Sequence, residues 1–410
     1  MKILIHSMYF LPEFGSAPIL MNELASDLAA RGRSVEVITT MPRPPHNEGY
    51  RGRFYIREAI RGFRVKRILT NFTVHPIGRL IAWTIYTLWT WLNLATVRRG
   101  DVIFLRLPPL QLGVTGILAR RLRGARVILN VQDIHPDLSI ESGLLRNPFF
   151  IRLAQAFEKW IYKHTDEILV ISEGFKKNLL AKGVPAGKIV IMPNWVDTGS
   201  LAPRPRDNPV ARRLGLTGRF VLMYSGTISI SSSATLECIL EAAVLLRDDP
   251  EIRIALVGEG LKKPDLTVKA AALRLSNADF IPFQPYQDLP DLLGSADVLL
   301  VPLDKEKSLL SVPSKLYNFM STGRPILGLA HPASEVFSLI REAGCGVCAP
   351  PDDPQAIAAA IRSLKADAAG RERMGRAGRA YAQEHFSRGA VIDAFDRLLD
   401  EPRRPNRRIP

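Results

Sequence analysis

Short runs of Val, Ile and Leu alternate with longer stretches of helical periodicity along most of the chain. Near-continuous apolar strands separated by helices are typical of parallel sheets covered on both faces. The pattern predicts two series of five strands. The first series covers residues 3–6, 34–39, 102–105, 127–131 and 167–171, and the second covers residues 220–225, 253–257, 279–281, 298–301 and 325–329.

The two series predict an α/β protein with two Rossmann-like domains that face each other across a cleft, which suits a chain of 410 residues. Between them, the segment PNWVDTGSLAPRPRDNP is rich in Pro and Asn and predicts a hinge. We expect an N-terminal domain at 1–192, a C-terminal domain at 193–387, and a helix with a basic tail at 388–410.

The segment 80–97, LIAWTIYTLWTWLNLATV, departs from this pattern because it holds 18 residues without a charge. A single crossing of a bilayer would separate strands of one predicted sheet, since strands lie on both sides of the segment. Two interpretations remain: a buried core helix, or a helix that dips into one membrane leaflet. Its four aromatic residues and flanking arginines favour membrane contact.

Charge and cysteine content narrow the function classes. The net charge is +15, and residues 1–150 carry 20 Lys and Arg against 10 Asp and Glu. Such a surface attracts nucleic acid, anionic lipid or phosphorylated small molecules, or is only a solvated arginine-rich surface. No nucleic-acid recognition module is visible. Three cysteines and no visible signal peptide predict a reducing cytoplasm.

Small residues follow several predicted strands. Gly15 and Ser16 precede a helix, Gly226 and Thr227 follow the strand at 220–225, and LVGEG with Gly258 follows the next strand. Ligands of open parallel sheets bind beyond the carboxyl ends of the strands, where free backbone N–H groups attract anions. Together, these loops predict an anion site on the edges of two sheets.

The stretch SVPSKLYNFMSTGRP is the strongest anion-site candidate. Pro313 suits the first turn of a helix, and Gly323 suits its end. The N–H groups of Ser314 and Lys315, the Ser314 hydroxyl and the Lys315 ammonium then predict a phosphate site. The alternative is a capped helix with a surface lysine.

The strand at 127–131 ends in NVQDIHPD, which places Asp133 and His135 at the carboxyl edge of the first sheet. Both are candidates for an acid–base or acceptor-binding role, and the alternative is a turn-capping Asp. Cys345 and Cys348 form a CxxC without a second pair, which predicts two small buried residues rather than a zinc site. The chain has no Asp-x-Asp, so we expect no metal.

These motifs resemble the family-four glycosyltransferases of the GT-B fold, in the branch that acts in polysaccharide and colanic-acid-type biosynthesis. The resemblance rests on YFLPEFGSAP, NVQDIHPD, ISEGFKKNLLAKGVP, IMPNWVD, SKLYNFMSTGRPI and GCGVCAPPDDPQAIAAAI, and it covers nearly the whole chain. It implies a bacterial, metal-independent, hexosyltransferase-type enzyme that moves a sugar from a nucleotide diphosphate-sugar with retention. It also implies that the last helix returns to the first domain.

The resemblance assigns the site residues. It implies catalytic roles for Asp133, His135 and Lys315. The expected donor-binding residues are Gly15, Ser16, Gly226, Thr227, Gly258, Glu259, Ser314, Lys315, Leu316 and Asn318.

Three departures from the family pattern stand out. Leu310 and Asn318 occupy the positions of a glutamate pair that is usual in the family. Ile228 and Ser229 stand near the position of its Arg and Lys, which leaves Lys315 to neutralise the diphosphate. The family's histidine is Gln132 here.

We therefore expect a cytoplasmic enzyme, peripheral on the inner face of an anionic membrane, that acts on a polyprenyl-diphosphate-linked saccharide. It needs no cofactor beyond the nucleotide-sugar substrate and no nucleic acid. Two alternatives remain open. One is a sugar-nucleotide epimerase of the GT-B fold, and the other is a non-catalytic subunit that binds a nucleotide-sugar.

Overall fold

The computed structural model describes residues 1–13, 15–44, 46–70, 76–141, 143–303 and 313–401. The chain divides into two compact units. The first comprises Met1–Pro193 together with Val391–Pro410, and the second comprises Asn194–Ala390. Each unit is built around its own largely parallel sheet, so the predicted two-domain α/β architecture is confirmed.

The first unit contains an eight-stranded sheet of order β3-β4-β2-β1-β5-β6-β7-β8, parallel except for β3. Its strands are β1 Lys2–His6, β2 Ser34–Thr40, β3 Tyr55–Ile60, β4 Phe63–Ile68, β5 Val102–Leu107, β6 Arg126–Val131, β7 Glu167–Val170 and β8 Ile189–Ile191. Its helices are α1 Ser16–Ala30, α2 Pro76–Leu92, α3 Leu112–Arg123, α4 Asp137–Glu141, α5 Pro148–His164, α6 Glu173–Ala181 and, after the second unit, α15 Arg388–Asp400.

Strands β3 and β4 form a hairpin that the apolar pattern did not predict. Arg61 and Gly62 connect the strands, and both have positive φ, at 43° and 87°. Two such residues suit a tight turn between antiparallel strands. β3 alternates exposed and half-buried side chains and carries charges, so it lacks a continuous apolar run.

The last helix packs on the first unit through charged and aromatic contacts. Arg33 forms ion pairs with Asp396 at 2.8 Å and Asp400 at 2.5 Å. The ring of Phe395 meets Phe104 of β5 edge-on, with centroids 5.4 Å apart. The return of the C-terminal helix to the first unit is therefore a property of the fold.

The uncharged segment 80–97 forms most of α2 and the 3₁₀ turn Asn93–Thr96. Its inner side is buried: Tyr86 is fully buried and donates from its hydroxyl to the Ile38 carbonyl, while Thr90 hydrogen-bonds Thr115 of α3. Its outer side exposes Leu80, Ile81, Ile85, Leu88, Trp91 and Leu92. The segment is thus not a fully buried core helix. Among the described helices, none is long and apolar enough to cross a membrane.

The second unit contains a six-stranded parallel sheet of order β11-β10-β9-β12-β13-β14. Its strands are β9 Phe220–Ser225, β10 Ile252–Val257, β11 Ala278–Ile281, β12 Val298–Pro302, β13 Ile326–Leu329 and β14 Gly346–Ala349. Its helices are α7 Pro209–Arg213, α8 Ile230–Leu245, α9 Lys263–Ala272, α10 Leu289–Gly294, α11 Lys315–Ser321, α12 Glu335–Glu342, α13 Pro354–Ala366 and α14 Ala368–His385.

The core of the second unit explains its apolar pattern. Leu222, Ile254 and Leu300 are fully buried on β9, β10 and β12 and pack against α8 and α13. The sequence analysis missed β14, which begins at a glycine and holds Cys348. Cys345 is buried as predicted, whereas Cys348 is only half-buried.

Candidate functional site

The carboxyl edge of the second sheet is formed by two glycine loops that touch through their backbones. Gly226, Gly258 and Gly260 have φ of 150°, 152° and 152°, which favours glycine. A Cβ on Gly258 would lie 1.9 Å from the Gly226 carbonyl oxygen, and one on Gly260 would lie 2.2 Å from that of Ile228. No side chain fits between these loops, so backbone conformation and close contact both require glycine.

Part of the hydrogen-bonding capacity of these loops is already used. The N–H of Gly226 donates to the Val257 carbonyl at 3.0 Å, and that of Gly258 donates to the Ile281 carbonyl at 2.8 Å. These two N–H groups therefore hold each loop to the neighbouring strand, β10 or β11, rather than facing a ligand. The loops contribute shape and close approach more than free donors.

Lys315 lies directly beside the first glycine loop. Its ammonium nitrogen stands 4.2 Å from the centroid of the Tyr224 ring and 2.7 Å from where a Cβ on Gly226 would lie. The Tyr224 hydroxyl donates to the Thr227 carbonyl at 2.6 Å, which fixes the ring. Burial lowers the pKa of Lys315 to about 8. Within the described ranges this ammonium makes no ion pair, so it is a largely desolvated cation available to an anion.

Helix α11 begins later than predicted. Lys315 is its first residue and Ser314 is the capping residue, so Pro313 lies before the helix. The Ser314 side chain makes no capping hydrogen bond. Because α11 has only seven residues, the Lys315 ammonium carries more of the local positive charge than the helix terminus does.

The other predicted donor residues on α11 differ in accessibility. Leu316 is fully buried, and its N–H donates to the Pro313 carbonyl at 2.9 Å, so neither its side chain nor its amide is offered to a ligand. Asn318 is half-buried and lies three residues after Lys315, which places both on one face of the helix. The Leu310 position lies outside the described residues.

Thr227 and Glu259 lie at the outer rim of the glycine loops. Thr227 is exposed, and Glu259 forms a 2.7 Å ion pair with Lys263, the first residue of α9. An exposed i,i+4 pair of this kind contributes little to stability. Both residues remain accessible, and Glu259 carries its charge already paired with a lysine.

The carboxyl edge of the first sheet is lined mainly by side chains. Gly15 has φ of 140° and precedes α1, and Ser16 at the helix start is exposed. Glu13 is buried and accepts hydrogen bonds from the Arg43 amide and guanidinium at 2.7 and 2.9 Å. The Arg43 guanidinium also lies over the Tyr9 ring at 4.6 Å. This network holds the loop before α1 in place.

Asp133 and His135 follow β6 at the same edge. Asp133 is exposed, whereas His135 is half-buried, with its Nδ1 3.0 Å from the Ser139 hydroxyl. Burial lowers the pKa of His135, while the Asp133 carboxylate acts in the opposite direction. The imidazole is therefore neutral at pH 7, and the adjacent carboxylate is open to solvent.

Helix α2 contacts this loop directly. The ring of Trp83 meets the His135 imidazole edge-on at 6.2 Å, and the Arg79 guanidinium lies 5.4 Å from the Trp83 ring centroid. The amphipathic helix and the Asp133–His135 loop are thus parts of one continuous surface in the first unit.

Arg106 is a functional candidate that the sequence analysis missed. It lies at the end of β5, next to Asn130 of β6 in the sheet register. A lone arginine in the run FLRLPP carries no recognisable motif, and only the order of the strands brings it to the edge that holds Asp133. In the described part of the chain, no group of three or more His, Cys, Asp or Glu side chains is arranged to hold a metal.

Comparison with known proteins identifies this arrangement. Residues 18–195 match the glycosyl transferase 4-like domain, and residues 215–381 match the glycosyl transferases group 1 domain. The chain is 30% identical over 376 residues to a colanic acid biosynthesis glycosyl transferase of Escherichia coli, WcaI, covering 88% of this chain and 91% of the relative. It is 29% identical over 274 residues to the glycosyltransferase WbjE of Pseudomonas aeruginosa, covering 65% and 66%.

A solved structure supports the fold. HepE from Anabaena, in complex with UDP, superposes with a TM-score of 0.72 at 16% identity, over 97% of this chain and 99% of that chain. Fold and paired glycine loops together define a two-domain glycosyltransferase of the GT-B type. The chain belongs to the family-four glycosyltransferases, which confirms the predicted family.

Proposed function

We propose that this glycosyltransferase moves a sugar from a nucleotide diphosphate-sugar to a polyprenyl-diphosphate-linked saccharide during cell-surface polysaccharide biosynthesis. The observation that carries the donor half is the largely buried Lys315 ammonium beside the Gly226 loop. A cation held without a counter-ion in the described residues suits the charge that develops on a departing nucleoside diphosphate. The named role of WcaI in colanic acid biosynthesis supports the pathway class.

The residues have separate roles in this proposal. Lys315 stabilises the leaving diphosphate. The glycine loops have no side chains, so the diphosphate can approach their backbone closely. Asn318, on the same helix face, bonds the nucleotide ribose through its amide. Asp133 orients or accepts the proton of the acceptor hydroxyl, with His135 beside it.

Retention and metal independence belong to the proposal as well. The family resemblance supports retention, and the Lys315 ammonium supplies a positive charge that a divalent ion provides in other enzymes. We expect the first-formed product to keep the anomeric configuration of the donor in proton NMR. We expect activity to persist in EDTA, and a loss restored by Mg²⁺ would contradict this part.

Contact with the membrane is supported by the outer side of α2. Ile81, Ile85, Leu88 and Leu92 follow the i, i+4, i+7, i+11 spacing of one helix face, and each is at least 37% exposed. α3 lies between α2 and α5, because Thr90 bonds Thr115 and the α3 residue Gly113 abuts Ile161 of α5. α5 exposes further large apolar side chains, which are Phe149, Phe150, Leu153 and Trp160. An apolar surface of this kind suits a lipid interface.

A basic cleft at the end of α2 favours anionic lipid. It encloses about 980 Å³, and its lining includes Ala95 and Thr96 of the turn that follows α2. Six cationic side chains line it against two carboxylates; the cationic residues are Lys2, Arg57, Arg64, Lys66, Arg98 and Arg99. Burial lowers the pKa of Lys2, the Glu36 and Asp101 carboxylates oppose this shift, and the nearby Lys66 and Arg64 add to it. The excess positive charge beside an apolar helix suits phosphate head groups.

The membrane proposal is tested with the double variant L88S/L92S and vesicles of neutral or 30% anionic lipid. Removing two leucines from the interface should reduce partitioning onto anionic vesicles at least about tenfold. Transfer to a short-chain, water-soluble acceptor should be unchanged, because neither residue lies in the described catalytic loops. The matched control is L261S/V268S on the exposed surface of the second unit, which should bind vesicles like wild type.

A non-catalytic binding subunit is the second candidate, favoured by Asn318 in place of the family's carboxylate. Transfer of labelled sugar to a lipid-linked acceptor distinguishes the two. Nucleotide binding without any transfer, across an acceptor pool that serves an active relative, would support the subunit.

A further inference from the structure

Among the described residues of the first unit, Arg33, Arg67, Arg106 and Arg126 are the arginines that are buried wholly or in part, and Arg106 differs from the other three because it lacks bonded partners. Arg126 donates from Nε and Nη2 to the Glu167 carboxylate and from Nη1 to the carbonyls of Leu399 and Glu401. Arg67 donates to the Glu58 carboxylate and to two backbone carbonyls. Arg106 makes no side-chain hydrogen bond or ion pair with any described residue, and its Nε is buried without a partner.

The absence of bonded acceptors around Arg106 has an energetic consequence. A desolvated cation without a bonded acceptor costs free energy, so buried charges in proteins are normally paired. Burial lowers the pKa of Arg106 to about 10, which still leaves the guanidinium charged at pH 7. The charged group that acts on it is the Asp133 carboxylate, which favours the cation and so opposes the effect of burial. Arg126 and Arg67 therefore have bonded acceptors within the fold, whereas the burial of Arg106 without one is unfavourable in the unliganded protein.

The location of Arg106 indicates which kind of ligand would supply its missing hydrogen-bond acceptors. Arg106 occupies the carboxyl edge of β5, flanked by the loop after β1 that holds Tyr9 and the loop after β6 that holds Asp133. This is the edge where open parallel sheets bind their ligands. A guanidinium offers five N–H donors in a planar fork that matches phosphoryl oxygens, and such bonds are stronger than neutral ones.

We propose that Arg106 binds a phosphoryl group of the substrate at the carboxyl edge of the first sheet. The inference rests on the proposed function, because both substrates proposed there carry a diphosphate. The bound phosphoryl belongs to the nucleotide-sugar donor or to the lipid diphosphate of the acceptor. Binding would give Arg106 the bonds that the unliganded protein does not provide, and Asp133 would then lie next to the bound group.

The test compares R106M with R106K and with the structural control R126M. The first readout is thermal unfolding without ligand. R106M should keep or raise the unfolding midpoint, because it removes an unpaired cation. R126M should lower the midpoint, because it leaves Glu167 buried without its partner. A drop for R106M as large as that for R126M would overturn the proposal in favour of a structural role.

The second readout is calorimetric titration with inorganic pyrophosphate, which needs no knowledge of the sugar. R106M should weaken binding about tenfold or more, and R106K should recover part of the loss. K315M serves as the reference for pyrophosphate bound at the other cation. Unchanged pyrophosphate affinity in R106M would overturn the proposal. This readout remains valid even if the wild type transfers no sugar, so it separates failure of this inference from failure of the proposed function.

Steady-state kinetics then identify the source of the phosphoryl group. A KM raised about tenfold for the nucleotide-sugar alone would assign Arg106 to the donor. The same rise for a lipid diphosphate-linked acceptor alone would assign it to the acceptor. Both KM values within twofold of wild type would contradict a phosphoryl contact in either substrate.

Discussion

The carboxyl edges of the two sheets are built from different materials. The edge of the second sheet is made of glycine backbone in close contact, with one largely buried lysine beside it. The edge of the first sheet is made of side chains, among them Tyr9, Arg106, Asp133 and His135, with Gly15 before the helix. A backbone site suits a group common to many donors, such as a diphosphate, and tolerates little change. A side-chain site can vary its specificity by substitution.

The largest effect should follow from placing a side chain between the glycine loops. Gly258→Ala would put a Cβ 1.9 Å from the Gly226 carbonyl oxygen at a φ of 152°. Strain at this φ and overpacking should together lower the free energy of unfolding of the second unit by about 3 kcal/mol or more. Sugar transfer should fall below detection in an activity assay, and urea unfolding of the same variant measures the loss of stability.

The control is Gly218→Ala, at a glycine with a φ of 68° and nothing within 4 Å of the added Cβ. It should cost only about 1 kcal/mol, the penalty of left-handed backbone for a residue with a side chain. Equal losses for the two variants would show that strain alone, and not contact between the loops, requires glycine at position 258.

The same contrast explains what the sequence could predict. All ten predicted strands lie within strands of the structure or extend one residue beyond them, because continuous apolar runs report burial on both sheet faces. β3 was missed because an edge strand with charged, half-exposed residues lacks that signal, and β4 was missed because Arg and Lys interrupt its apolar run although most of the strand is buried. β14 was missed because it is short and begins at Gly346.

The site was predictable only in part. The glycine loops and Lys315 were found because small residues after a strand, and lysine at a helix start, are local signals. The contact between the Gly226 and Gly258 loops is a distance between neighbouring strands, which no local pattern encodes. Arg106 was missed for the same reason, since only the sheet order places it near Asp133. Leu316 was included by motif, although the helix turns it into the core.

The second prediction concerns Lys315, the cation that we propose binds the diphosphate beside the glycine loops. Lys315→Met should reduce sugar transfer about 10²–10³-fold, because a preorganised charge at the leaving group is lost. With a pKa lowered to about 8 by burial, Lys315 loses its proton as the pH rises through 8. Wild-type kcat/KM should therefore decline above pH 8. Lys315→Arg keeps the charge, so kcat/KM of this variant should not decline above pH 8. A decline that persists would show that another group titrates there.

Stability should respond to the same titration with the opposite sign. Lys315 releases its proton near pH 8 when folded but near its ordinary value of 10.5 when unfolded, so the unfolded chain binds more protons in that window. The contribution of Lys315 to the free energy of unfolding of the wild type should therefore rise between pH 8 and 10.5. Urea unfolding of Lys315→Met should lack that rise.

The smallest effect is expected at the side-chain edge, where neighbouring groups share the work. His135→Asn should lower kcat/KM for the acceptor about tenfold, which is less than the roughly 10²–10⁴-fold that acid–base residues contribute, because Asp133 remains. Burial lowers the pKa of His135, so its acid limb should lie below pH 6.5 and disappear in the variant. Measurement from pH 5 to 8 with a water-soluble acceptor would show this limb.

The matched control for His135 is His164→Asn at the end of α5, where the imidazole Nδ1 lies 2.8 Å from the Trp160 carbonyl of the same helix. It should leave the pH profile unchanged. An acid limb that survives His135→Asn would contradict the role of His135 and would leave the acceptor hydroxyl to Asp133, the exposed carboxylate beside it. The edge of the first sheet would then depend on one group, as the edge of the second sheet depends on Lys315. The two edges would still differ in being built from side chains or from backbone, but they would not differ in how many groups carry out the chemistry.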